Sequence, residues 1–493
     1  MKLCIREIEE VLGAKAVLQP TGALPAPDAE ADLSCAEFDS RRVLPGGVFF
    51  AESGERTDGH KFIASVFEAG AALVICRKTP QEVESEFGIP AGSWGSYLVT
   101  PDPYAAMRRI AAFYRSRLRI PVVGITGSVG KTSTKEMIAS VLSRSFHVLK
   151  TEANLNNDLG VPVTLLRIRE EHTAAVVEMG ISDFGEMRVL AEMVRPDVAV
   201  FTNIGQCHLE QLGDRDGVYR AKTEMVEYMN PEGTVCAFGG DDKLAGLLRE
   251  QEAGEPRMQG KTLRYFGWDG DGTDLPLDVR ITECESKGLE GSEAVLEMDG
   301  MLQMIRVCVP GAHMVLNAAA GACVGLCLGM TPGEIAEGIE ALQEVGGRGH
   351  IVQAKDLTVI DDCYNANPAS MRASIDLLGM AEGEKAAILG DMFELGAEEL
   401  RLHEGVGVYA VRAGLSHLIC VGERCAAMYE AAAEAAEESA GEGYTDIRYF
   451  ADKEKLLKAL REDREDLLPS GCAVLVKASH GMHFEEIVKE LLG

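Results

Sequence analysis

Along most of the chain, short apolar runs alternate with stretches whose apolar positions recur every three to four residues. The runs at Val122–Thr126, Ala174–Glu178, 198–203 and Thr234–Phe238 are apolar on consecutive positions and rich in Val, Ile and Ala. That is the pattern of strands covered on both faces, and the intervening helical spacing makes them parallel βα units. Helices are predicted over 104–114, where the periodic stretch ends before Pro121, and over 132–142, directly after a glycine loop. The second half resumes the alternation, with strands at 357–360, 386–389, His417–Val421 and Ala473–Lys477 and an Ala/Glu-rich helix at 425–439. The first hundred residues carry shorter runs, at 47–50 and 71–75, between the turn signals Pro45-Gly46-Gly47 and Asp58-Gly59. Residues 266–306 differ: a Gly/Asp-rich turn and then alternating segments predict an antiparallel insertion or edge hairpins. The pattern predicts an α/β chain of three domains. A small N-terminal α/β domain spans 1–105, a central domain with a mostly parallel sheet spans 106–340, and a Rossmann-like C-terminal domain spans 341–493. No internal repeat is visible.

Length agrees, since 493 residues at roughly 150 per domain gives about three. Lys and Arg number 48 against 78 Asp and Glu, so the net charge is 48 − 78 = −30. A chain so acidic repels phosphate backbones and anionic lipid, which argues against nucleic-acid or membrane partners. The longest weakly polar run, near 318–330, is too short to span a bilayer. Acids near the start stand where a signal peptide needs its apolar stretch. The thirteen cysteines show no paired CxxC spacing, and most lie in apolar runs, Cys76, Cys323, Cys327, Cys420 and Cys472 among them. The expectation is buried thiols in a reducing cytoplasm. No long apolar seam is present, so a monomer is expected.

The most informative stretch is Val123-Gly-Ile-Thr-Gly-Ser-Val-Gly-Lys-Thr-Ser-Thr. A glycine-rich turn between strand and helix lets backbone N–H groups wrap phosphates, and the helix N-terminus adds its dipole. In such a loop Lys131 reaches the outer phosphates and Thr132 ligates Mg²⁺. The glycines stand at 124, 127 and 130, a departure from the general Walker spacing. Glu178 closes its strand at the carboxyl end, where a metal-holding carboxylate belongs; the alternative is a helix-capping acid. His208, in a loop after the next strand, is a candidate second metal ligand. By spacing alone Lys222 reads as a solvated lysine. The base-specificity pattern Asn-Lys-x-Asp of GTPase switches is absent.

These residues resemble the Mur ligase family, the ATP-dependent amide-forming enzymes of peptidoglycan precursor synthesis, and the likeness covers nearly the whole chain. Asp39-Ser-Arg, Pro45-Gly-Gly-Val-Phe-Phe-Ala and Asp58-Gly-His-Lys-Phe-Ile resemble its amino-terminal domain, which holds the UDP end of the substrate. The glycine loop, Thr151-Glu-Ala-Asn-Leu-Asn-Asn, Glu178-Met-Gly, Asn203-Ile-Gly-x-x-His-Leu-Glu and Lys222-x-Glu resemble the central ATPase domain. Asp361-Asp-Cys-Tyr-Asn-Ala-Asn-Pro-Ala-Ser-Met, then Leu389-Gly-Asp-Met-x-Glu-Leu-Gly and His403, resemble the third domain of the dipeptide-adding branch. The Asp-Asn-Pro-Arg segment of the diaminopimelate- or lysine-adding branch is absent.

The resemblance implies addition of D-alanyl-D-alanine to UDP-N-acetylmuramoyl-tripeptide through an acyl phosphate, with ATP and Mg²⁺ as cofactors. It assigns Gly127, Ser128, Val129, Gly130, Lys131, Thr132 and Ser133 to the ATP phosphates. Thr132 and Glu178 go to one Mg²⁺ and His208 to a second. Lys222 matches the family lysine that can be carbamylated into a metal ligand. Asn317 matches the adenine-contacting asparagine, Arg348 the arginine that reaches the γ-phosphate, and Asp362 the ribose-binding aspartate. Ser40, Arg41, Asn365, Asn367 and Lys477 are implied substrate contacts, and Lys131, Lys222, His208 and Arg348 the catalytic set. Lys131, Arg348, Lys477 and Arg41 supply the local positive field that an acidic chain needs to hold anionic substrates. One departure stands near the end: His480 and His483 occupy positions that are commonly cationic in the family. Two rivals share these signals. A folylpolyglutamate synthase-type ligase has no N-terminal domain of this kind, and a nucleotide-dependent regulatory protein would ligate nothing.

Overall fold

The computed structural model describes residues 1–21, 25–54, 57–270, 275–342, 350–354, 356–438 and 445–493. Arg348 therefore lies outside the described residues. Among the described residues three sheets organise the chain. The first is four-stranded and parallel throughout, in the order Ala36–Glu37, Val48–Ala51, Leu73–Cys76, Tyr97–Val99.

The second has nine strands. Val148–Lys150, Ala174–Glu178, Val122–Thr126, Val198–Phe201, Thr234–Phe238, Thr262–Trp268 and Val279–Ser286 run parallel in that spatial order. The hairpin Ser292–Met298 and Met301–Val307 then extends the edge antiparallel. The insertion expected over 266–306 is thus antiparallel only beyond residue 286. Val279–Ser286 pairs parallel with Thr262–Trp268 and fuses the hairpin to the main sheet.

The third sheet runs His350–Gln353, Thr358–Asp361, Ala473–Lys477, Lys385–Gly390, His417–Val421, Asp446–Phe450. Its first pair is antiparallel and the rest are parallel.

Every residue of Val122–Thr126 and Ala174–Glu178 is buried, because helices cover both faces of the central sheet. Helix Pro103–Arg117 buries Met107, Ile110 and Tyr114 in one core with Leu3, Val48 and Phe50 of the first lobe and Val161 and Leu166 of the second. Asp102 caps it by accepting from Ala105 N, and Pro103 at its first position needs no donor partner. In the central sheet the strand Val122–Thr126 lies between strands that come later in the chain on both sides. That is a topological switch point, and its carboxyl end opens toward the third lobe.

Candidate active site

The glycine loop opens at that switch point. A Cβ on Gly127 would sit 1.9 Å from Thr202 Oγ1, so the loop passes too close to the neighbouring strand for any side chain. Gly130, at φ +81°, turns the chain into helix Lys131–Leu142. Ser128 N donates to Asn203 O (3.1 Å) and Val129 N to Asn203 Oδ1 (3.0 Å), which ties the loop to the strand end beside it. Lys131 Nζ donates to Gly127 O at 2.8 Å.

Thr132 Oγ1 lies 3.0 and 2.8 Å from the two carboxylate oxygens of Glu178. Glu178 is buried at the end of its strand, where Asn156 Nδ2 donates to it at 2.9 Å and Lys135 Nζ stands 3.6 Å away. It caps no helix. The hydroxyl and carboxylate form a set of hard oxygen donors suited to Mg²⁺. Lys135 and Asn156 carry no assignment from the sequence. Lys135 is one helical turn from Lys131, the signal that places it on the same face.

One cavity of about 380 Å³ gathers most of the candidates. Its walls hold Ser128 through Ser133, Glu178 and Asn317 from the central lobe, and Asp362, Asn365, Asn367 and Lys477 from the third. Thr134 Oγ1 donates to Asn317 Oδ1 at 2.8 Å, fixing that side chain against the loop helix. Across the cavity Lys477 Nζ donates to Asp362 Oδ2 (2.6 Å) and to Asn365 O (3.0 Å), and Ser374 Oγ also donates to Asp362. Asn367 Oδ1 accepts from Ser370 N at 2.9 Å and caps helix Pro368–Gly379, so its amide positions the helix as well as facing the cavity.

Five described candidates lie outside this wall: Gly127 at the start of the loop, and Ser40, Arg41, His208 and Lys222 further off. Ser40 and Arg41 sit in a 3₁₀ turn capped by Asp39, whose carboxylate also binds the exposed Arg41 guanidinium at 2.7 and 2.9 Å. The next residue, Arg42, reaches Glu152 at 2.7 Å, which sets the turn against the segment that carries Asn156. His208 takes a left-handed conformation, φ 50°, and its Nδ1 lies 2.8 Å from Glu394 Oε2 of the third lobe.

Lys222 overturns the spacing argument. It sits on helix Arg215–Thr223 fully buried, and its Nζ has no hydrogen-bond partner. Burial, with a smaller push from the Lys131 charge, brings its pKa down to about 8. The departure near the end is also on view: the His480 ring lies 5.5 Å from that of Tyr364 on the cavity wall, tilted by 37°, and His483 pairs with Glu485 at 3.0 Å.

The sequence pattern described as Mur ligase family, catalytic domain, matches residues 34–93, that of the Mur ligase middle domain matches 125–325, and that of the Mur ligase glutamate ligase domain matches 347–480. The UDP-N-acetylmuramoyl-tripeptide–D-alanyl-D-alanine ligase of Bacillus subtilis is 33% identical over 92% of this chain and 92% of its own. This chain belongs to the Mur ligase family. Two solved family structures align over nearly its whole length. MurF from Acinetobacter baumannii superposes with a TM-score of 0.82 at 30% identity, covering 99% of this chain and 98% of its own. MurF from Thermotoga maritima, in complex with ADP, gives a TM-score of 0.73 at 25% identity, covering 93% and 96%. No helix among the described residues is long and apolar enough to cross a membrane.

Proposed function

We propose that this Mur ligase joins D-alanyl-D-alanine to UDP-N-acetylmuramoyl-tripeptide at the expense of ATP, as a monomer in the cytoplasm, to give the UDP-muramyl-pentapeptide. The observation that carries the reading is the cavity in which the glycine loop, Thr132 and Glu178 face Asp362, Asn365 and Lys477. The whole-length likeness to ligases of that name supports it. In this reading the chain divides near residues 105 and 340 into a UDP-binding, an ATPase and a ligase domain.

The chemistry starts from a poor electrophile, because a free carboxylate has no leaving group. Its oxygen takes the γ-phosphoryl group of ATP, ADP leaves, and the resulting acyl phosphate carries phosphate as the leaving group. The dipeptide amine then attacks the carbonyl carbon, phosphate departs, and the amine proton passes to solvent. The loop N–H groups and Lys131 hold the transferred phosphoryl oxygens, and Asn317 and Asp362 hold the adenosine end. Thr132 and Glu178 hold one Mg²⁺, and His208 and Lys222 serve a second position. The ion supplies positive charge against the phosphate oxygens when bound. Arg348, through the role the family resemblance gives it, adds charge against the γ-phosphate.

Lys222 fits its assignment on physical grounds. A buried amine with a pKa near 8 is largely neutral in mild base, and only the neutral amine attacks CO₂. The N–C bond forms, one proton leaves, and a cation becomes a carboxylate-like ligand.

The test is product mass: incubation with ATP, Mg²⁺, UDP-muramyl-tripeptide and D-alanyl-D-alanine yields a species heavier by one dipeptide less one water. A mass gain matching glutamate on a folate substrate instead would move the chain to the folylpolyglutamate branch.

A further inference from the structure

Away from the cavity, the fold brings three thiols together. Cys236 lies mid-strand in Thr234–Phe238, while Cys323 and Cys327 are one turn apart at the end of helix Ala312–Cys327. Their Sγ atoms lie within 4.8 Å of one another, and those of Cys236 and Cys327 are 3.7 Å apart. Cys236 and Cys323 are fully buried, while Cys327 is partly exposed and gives a route in. Cys323 is buried as expected of a thiol in an apolar run; that the fold also gathers it with Cys236 and Cys327 is not legible in the sequence.

The spacing suits a metal. A metal–sulfur bond of about 2.3 Å sets sulfur–sulfur edges of about 3.8 Å in a tetrahedral site and about 4.0 Å in a trigonal one. No His, Asp or Glu atom joins the trio among the described residues, so the donor set is sulfur alone and selects a soft cation over Mg²⁺ or Ca²⁺. Charge is arranged around it. Arg264 is the cross-strand neighbour of Cys236 and interacts with Cys327, and it offsets the one surplus negative charge that three thiolates keep around a divalent ion. The Asp278 carboxylate acts against this on Cys323.

The other trio gathered among the described residues, Asp391, His403 and Cys425, is already spoken for. His403 Nε2 accepts from Met392 N at 2.9 Å, its Nδ1 lies 2.7 Å from Glu399 O, and Asp391 accepts from Cys425 N at 2.9 Å. Those contacts hold the loop after strand Lys385–Gly390.

We infer that Cys236, Cys323 and Cys327 bind one thiophilic closed-shell cation, Zn²⁺ or Cu⁺, in the central lobe. Binding forms three metal–sulfur bonds and sends the displaced thiol protons to the buffer. The ion fastens the last turn of helix Ala312–Cys327 to the central sheet. The same helix carries Asn317 to the cavity, and its Gly321 packs against Met137 of the loop helix.

The experiment uses the full chain, stripped with chelator and kept reduced with a phosphine, and titrated in separate arms with Zn²⁺ and Cu⁺ against chromophoric chelators. One equivalent is retained per chain in one arm or both, and X-ray absorption of that ion shows three sulfur neighbours, with one solvent oxygen completing the shell in the Zn²⁺ arm. Cys327→Ser, at the partly exposed position, lowers the affinity at least about tenfold, while Cys284→Ser, an exposed thiol outside the trio, leaves it unchanged. Cys425→Ser also leaves it unchanged. Melting of ion-free Cys327→Ser is compared with that of the ion-free parent, so a folding defect is recognised, and the parent's stoichiometry and absorption stand without any variant. No retained ion in either arm, a shell with fewer than three sulfurs or with nitrogen, or an affinity indifferent to Cys327→Ser overturns the assignment.

Discussion

His208 and Glu394 meet across two lobes, Nδ1 to Oε2 at 2.8 Å, and both residues hold left-handed backbones, at φ 50° and 61°. Side chains rarely adopt that conformation unprompted, so both loops are set by their surroundings. The imidazole holds the Glu394 carboxyl below its usual range. In the proposed reaction His208 serves metal, and Glu394 competes for it. Glu394 is mostly exposed, and such pairs are worth about 0.2–1 kcal/mol. Glu394→Gln should therefore lower the Mg²⁺ concentration for half-maximal activity by up to about fivefold. A rise would mean that Glu394 assists the metal instead.

The Thr132–Glu178 pair is the core of the proposed Mg²⁺ site. Glu178→Gln keeps the shape and removes the charge, and should weaken Mg²⁺–ATP binding by about 10–100-fold, read by titration calorimetry. Lys131→Ala should leave substrate affinity for the UDP-peptide intact and cut kcat by at least about a hundredfold. Equal losses in both quantities would place Lys131 in structure rather than in phosphoryl transfer.

The burial of Lys222 couples pH to stability and, in the proposed function, to activity. Its folded pKa, about 8, lies below the ordinary 10.5. Between these values the unfolded chain keeps a proton that the folded chain has released, so this group's contribution to stability rises with pH across that window. Below about pH 8 the folded state carries an unpartnered buried cation. Lys222→Met should remove this pH dependence and raise the melting temperature at neutral pH, while activity falls at least about a hundredfold. In the parent, added bicarbonate should raise activity more at about pH 8.5 than at about pH 7, and intact-protein mass should show one added CO₂. A flat bicarbonate response at both pH values would remove the carbamate.

Lys477 and Asp362 form a largely buried pair in the third lobe. Lys477→Met leaves the carboxylate with Ser374 as its one side-chain hydrogen-bond donor among the described residues, and should cost that lobe about 3 kcal/mol by hydrogen exchange. The double variant Lys477→Met/Asp362→Asn should recover part of the loss. Additive losses would show that the two residues are energetically independent.

Much of this architecture is legible in the sequence because a parallel sheet buries both faces of its strands. Ala174–Glu178 and Ala473–Lys477 read as unbroken apolar runs for that reason. His350–Gln353 and Asp446–Phe450 escape notice because edge strands are only half buried and mix polar with apolar residues. The glycine loop is legible since its chemistry is local. Lys222 is not, because its burial comes from how helix Arg215–Thr223 packs and not from its own neighbours. Cys236 and Cys327 stand 91 residues apart, and only the pairing of strand and helix makes them adjacent.

Phosphate release tests the central claim most directly. With ATP and Mg²⁺ present, release should require both UDP-N-acetylmuramoyl-tripeptide and D-alanyl-D-alanine, and omitting either should return it to background. Release indifferent to both, or none with the full mixture, would contradict the ligase and favour a nucleotide-dependent regulatory protein.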